Sequence, residues 1–191
     1  DRVSSQAIDS VYLNQAVKQN LYFGTGIEYV FDNVRSNGLN LFEGLRFKIY
    51  SDNYNKYKNH QFISNNGFDF RWYKKLHRQI YFAARLSAAL SFGTQTTAYY
   101  LGGVENWLVN VDSNTNFNYN IPTLNGNDYA FQTIVSPARG FLRNSRAGNK
   151  YALMNFELRV PLFAYLIQKP ISSEFFRSVM LIGFVDIGTA W

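Results

Sequence analysis
The chain has no cysteine among its 191 residues, only 4 Pro and 2 His, and no long apolar run. Each shortage removes a class of explanation. Without cysteine there is no disulfide and no thiolate-held metal, although this decides no compartment. His60 falls in a polar stretch and His77 at a turn, and neither has a motif partner. There is no Gly-x-Ser-x-Gly, no His-Glu-x-x-His and no P-loop, so no catalytic set can be assembled. The expectation is a non-enzyme that holds neither cofactor nor metal. No stretch reaches the roughly 18 apolar residues of a membrane helix. The mean hydropathy of −0.23 would suggest a soluble protein. A membrane β-barrel escapes that test, because each strand shows only one apolar face and gives a weak signal. Net charge is +6, spread along the chain with no basic stripe, which argues against nucleic acid as a partner.

Aromatic residues are abundant: 14 Tyr and 17 Phe bring the aromatic share to 18%. Tyr and Phe favour strands and membrane interfaces. The chain alternates accordingly. In 21–32, Leu21, Phe23, Ile27, Tyr29 and Phe31 oppose Gly24, Gly26, Glu28 and Asp32. In 41–50, Leu41, Leu45, Phe47 and Ile49 oppose Gly44, Arg46 and Lys48; in 67–73, Phe68, Phe70 and Trp72 oppose Asp69 and Arg71. The cleanest run is 79–92, with Ile80, Phe82, Ala84, Leu86, Ala88, Leu90 and Phe92 against Arg85, Ser87 and Ser91. In 152–162, Ala152, Met154, Phe156, Leu158, Val160 and Leu162 oppose Asn155, Glu157 and Arg159. The last strand, about 178–191, sets Leu181, Val185 and Ile187 against Asp186 and Gly188.

A period of two means a half-buried sheet, and no helix is expected. A soluble sandwich alternates too. Two details favour a membrane barrel: strands of about 10–14 residues are long enough to cross a bilayer at a tilt, and the polar parity repeatedly carries full charges, as a wet lumen would. Connections agree. Asn33–Gly38 and Lys74–His77 read as short turns, Ser51–Gln61 as a longer loop and Gly93–Lys150 as a very long one. The exception is Phe163–Arg177, fairly long where a short turn is expected, with Pro170 excluding a strand. The glycines of Gly24-Thr25-Gly26 are a weak phosphate signal and read better as small residues facing a crowded interior.

The long loop reaches Ala138-Arg139-Gly140-Phe141, and the chain runs out through Phe184-Val185-Asp186-Ile187-Gly188-Thr189-Ala190-Trp191. Glu157 lies on the strand between them, sharing the inward parity of Asp186. A guanidinium at a folded-back loop tip needs bidentate acceptors, because a lone buried charge is costly, and these two carboxylates on adjacent strands are placed to flank it.

An arginine-glycine-aromatic loop tip followed by an acidic-x-glycine strand resembles the outer-membrane protein assembly-factor superfamily, the BamA/TamA-like insertases and bacterial surface antigens. Tyr99-Tyr100-Leu101-Gly102-Gly103 is similar to the aromatic-x-Gly-Gly that precedes the family's motif loop, here followed by an Asn-rich insert, 104–128. The resemblance implies that Arg139 is the motif arginine, Gly140 the tight turn, Phe141 the packing aromatic, and Glu157 and Asp186 the acids of successive strands, with Gly188 two residues beyond the second. It implies an all-β, antiparallel transmembrane barrel in the outer membrane of a Gram-negative bacterium, of which residues 1–191 supply about six strands out of sixteen. Six strands cannot close around a lumen. The chain also opens on Asp1 without Met or a visible leader, so either a leader was removed or this is a segment of a longer protein. The implied function is insertion or translocation of outer-membrane proteins. Its partners would be the lipid bilayer, client outer-membrane proteins and accessory lipoproteins or periplasmic chaperones. The alternative is a non-catalytic structural or transport barrel that anchors a fused periplasmic domain.

Overall fold
Strand pairing organises most of the chain. The computed structural model describes residues 21–57, 61–102, 129–135, 138–139, 146–167 and 171–191. Within them run β1 (Tyr22–Asp32), β2 (Arg35–Gly38), β3 (Leu41–Lys56), β4 (Phe62–His77), β5 (Ile80–Gly93), β6 (Thr96–Leu101), β7 (Tyr129–Ile134), β8 (Arg146–Gly148) and β9 (Lys150–Pro161). Two five-residue helical turns, α1 (Leu162–Leu166) and α2 (Glu174–Ser178), precede β10 (Met180–Ala190). The main sheet is antiparallel, in the order β1-β3-β4-β5-β9-β10, with β2 paired to β3. Among the described residues it is open, with β1 and β10 at its edges. The fold is all-β. No described helix is long and apolar enough to cross a membrane, which says nothing of strands.

The register puts each strand's apolar parity on one common face. One row reads Phe31, Phe47, Phe70, Leu86, Met154, Ile187, each opposite the next on its neighbouring strand. Aromatic rings meet across it, Phe31 stacked on Phe47 at 5.5 Å and Phe82 on Phe156 at 6.3 Å. Such cross-strand pairs contribute about 0.2–1 kcal/mol each. Much of the face is open: Ile27 is 79% exposed and Ile187 58%.

The opposite face carries the charges, and glycines make room on it. A Cβ at Gly24 would touch the Tyr54 ring at 3.0 Å, and one at Gly26 would lie 2.5 Å from Asp52 Oδ1. This is the crowding expected of those two positions. At one end of this face β6, parallel to β7 and antiparallel to β8, forms a second, three-stranded sheet that packs down on it. The core lies there, where Tyr99, Leu101, Val135 and Ala138 meet Ala89, Tyr151, Leu153 and Ala190.

The strands correct the sequence reading at their ends. Ser51–Gln61 is not one long loop, since β3 continues to Lys56 and β4 starts at Phe62, pairing Asp52 with Asn65 and Tyr54 with Ile63. Lys74–His77 is strand as well, with the turn at Arg78 and Gln79 and Arg78 at φ 46°. Backbone pairing does not require apolar side chains, so the ladder outruns the alternation that revealed it. Asn33–Gly38 contains β2, and part of Gly93–Lys150 is built as the second sheet. Helix appears where none was expected, in Phe163–Arg177, where Pro170 had only excluded a strand.

Candidate functional site
The charged face gathers its groups by strand geometry alone. In β9, Asn155, Glu157 and Arg159 point to one side because they are two residues apart. Phe184 and Asp186 in β10 share that side, with Phe184 opposite Glu157 and Asp186 opposite Asn155. Glu157 and Asp186 are therefore diagonal neighbours, leaving a gap between two carboxylates.

Arg139 fills it from the loop. Its backbone N–H donates to Asp186 Oδ2 at 2.7 Å, its Nε to the same oxygen at 2.8 Å, and its Nη2 to Asp186 Oδ1 at 2.8 Å. The remaining arm, Nη1, donates to Glu157 Oε1 at 2.5 Å. The guanidinium carbon sits 4.1 Å from the centre of the Phe184 ring. Asp186 is almost sealed, its side chain 1% exposed, while those of Arg139 and Glu157 are 22% and 18% exposed. The hydrogen bonds Arg139 donates to Asp186, then the one it donates to Glu157, raise its pKa above its already high ordinary value despite the opposing effect of burial. The arginine is held as a fixed cation. Buried Ala138 seats the backbone just before it.

Neighbours complete the cluster. Asn155 Nδ2 donates to Asp186 Oδ1 at 2.8 Å. Arg159 grips the second oxygen of Glu157 at 2.6 Å and reaches the Asn40 carbonyl at 2.7 Å, tying the cluster to the β2–β3 turn. Further along the face Asp69 accepts from Arg71 Nε at 2.7 Å and from Arg85 Nη2 at 2.5 Å, Arg46 pairs with Asp32 at 2.5 Å, and Lys48 pairs with Glu28. This chemistry holds and orients charge. Among the described residues no group of three or more His, Cys, Asp or Glu side chains is placed to bind a metal ion.

Of the residues singled out from sequence, Arg139, Glu157 and Asp186 come together. Gly188 lies one step up the same face, where an added Cβ would stand 2.9 Å from Leu101 Cδ2 and 3.0 Å from Leu153 Cδ1. It lets the loop sheet lie close. Gly140, Phe141, His60 and the insert 104–128 lie outside the described residues. Sequence reasoning overlooked Phe184, Asn155 and Arg159 as site residues. Their signal was available, since all three share the inward parity of Glu157 and Asp186. In comparisons with protein families, curated proteins and solved structures, the chain matches none.

Proposed function
We propose that this chain is a segment of an outer-membrane β-barrel of the assembly-factor type, acting in insertion or translocation of other outer-membrane proteins. The observation that carries the reading is Arg139 crossing from the loop to Asp186 and Glu157 on successive strands. Those residues stand in the motifs on which the family resemblance rests. In this reading the charged face is the wet lumen, the apolar face meets lipid, and the motif loop is braced inside the barrel by the arginine. The apolar face supports it: one face of the sheet exposes Ile27, Ile49, Leu158, Val185 and Ile187, and an exposed apolar surface of this kind marks a membrane or partner contact. The open edges at β1 and β10 would be closed by further strands of the same barrel. Client strands would template on a sheet edge, adding backbone hydrogen bonds while the loop keeps the lumen in shape.

The test is replacement of the gene by Arg139→Ala and Arg139→Lys alleles, with folded outer-membrane proteins followed by their heat-modifiable mobility. Arg139→Ala should deplete folded clients while its own barrel remains membrane-embedded, and Arg139→Lys should recover part. Normal client levels with a weakened barrel would instead favour a structural or transport barrel anchoring another domain.

A further inference from the structure
The connection between β9 and β10 is far longer than the hairpin needs, and it spends that length on exposed apolar side chains. Neither α1 nor α2 buries a residue. Phe175 is 71% exposed, Leu166 66% and Phe176 45%. Phe163 packs edge-on to Phe176 at 4.9 Å, and the Leu162 N–H donates to the Val179 carbonyl at 3.1 Å, closing the neck of the loop. Helices this short do not persist in water unaided. The polar side is supplied by Glu174 and Arg177, paired at 3.4 Å and largely exposed.

The position says what covers these side chains. The connection leaves the sheet at the end where the Arg78–Gln79 turn also lies. Toward that end the apolar face carries Trp72, 42% exposed, with Lys74 Nζ 5.8 Å from its ring centre, and Leu76 beyond them, 54% exposed. An indole with a lysine against its ring, near the end of an apolar belt, is a pairing suited to a membrane–water interface. We infer that α1 and α2 form an interfacial anchor that seats Leu166, Phe175 and Phe176 in the headgroup region of the leaflet at this end of the barrel. The inference rests on the membrane reading and adds to it a phospholipid contact made outside the strands.

These 191 residues have no cysteine, so single cysteines introduced here into an otherwise cysteine-free protein are unique labelling sites. F175C, E174C and L86C would carry an environment-sensitive fluorophore on the intact protein in phosphatidylethanolamine–phosphatidylglycerol liposomes. Three quenchers are compared: aqueous iodide, a lipid spin-labelled near the headgroup and a lipid spin-labelled at the chain end. Label at F175C should be quenched at least about twofold more by the shallow spin label than by iodide or the deep one, as for a side chain about 5–10 Å into the interface. E174C should respond to iodide and L86C to the deep label. F175C behaving like E174C while L86C still reports lipid overturns the anchor alone, and points to water or a protein partner over this surface. Both L86C and F175C responding to iodide overturns the membrane reading and the anchor with it. Should F175C fail to assemble, F176C makes the same measurement.

Discussion

Arg139 makes four hydrogen bonds to two carboxylates, and its removal leaves Glu157 and Asp186 facing one another without a counterion. Losing one partner of a fully buried pair costs about 3–5 kcal/mol; with the side chain 22% exposed, Arg139→Ala should cost about 2–3 kcal/mol in urea unfolding. Arg139→Lys should regain less than half, because an ammonium cannot span two acids in a planar fork or stack on Phe184. An unfolding midpoint for Arg139→Ala equal to that of the parent would rule out a latch. The two acids are not equivalent. Asp186 takes three of the four bonds and is sealed, whereas Glu157 is less buried and is also held by Arg159. Asp186→Asn should therefore destabilise by at least about 1 kcal/mol more than Glu157→Gln, since an amide donor would be forced against the guanidinium in a dry site. Equal losses would mean that water screens both.

At the scale of elements, the loop sheet is attached to the main sheet by packing as well as by the arginine. Tyr99 meets Tyr151 edge-on at 5.0 Å, the Thr97 N–H donates to Ser91 Oγ at 2.7 Å, and Leu101 lies over Gly188. Gly188→Val would put methyl groups where Leu101 and Leu153 already stand, and overpacking of this kind costs about 1–3 kcal/mol. The loop should lift first. The expected outcome is faster proteolysis of the loop in Gly188→Val, with the main sheet's strand signal in circular dichroism retained. Unchanged cleavage kinetics would show that the loop does not depend on that contact. The six long strands were legible in the sequence because one apolar face imposes period two on each, as in 79–92. Their ends were not, because Asp52, Asn53 and Lys75 pair through backbone groups common to all residues. β6 and β7 were unreadable for a different reason: a parallel pair inside a loop is decided by what it packs on, and no local alternation announces it.

For the whole molecule the question is what the apolar face meets. Phe70 lies in the middle of a row that crosses all six strands. If that row is at the centre of a bilayer, Phe70→Arg should cost about 2–4 kcal/mol of folding free energy in lipid vesicles. The same change at a water-facing site would stay within about 0.5 kcal/mol. Urea titration in vesicles separates the two, and a change at the smaller value would count against the membrane reading.

The sequence by itself determined the all-β class, the two faces, the six long strands short of their ends and the gathering of charges on one parity, since alternation is a local consequence of strand geometry. It also marked Arg139, Glu157 and Asp186 as members of one cluster. Only the tertiary structure decided that Arg139 takes both acids at once, that Phe184 lies under its guanidinium, and that Arg159 carries the cluster on to the Asn40 carbonyl. Those contacts join residues far apart in the chain. Their distances depend on strand register and on where a long loop comes to rest, and neither is encoded in the spacing of neighbours.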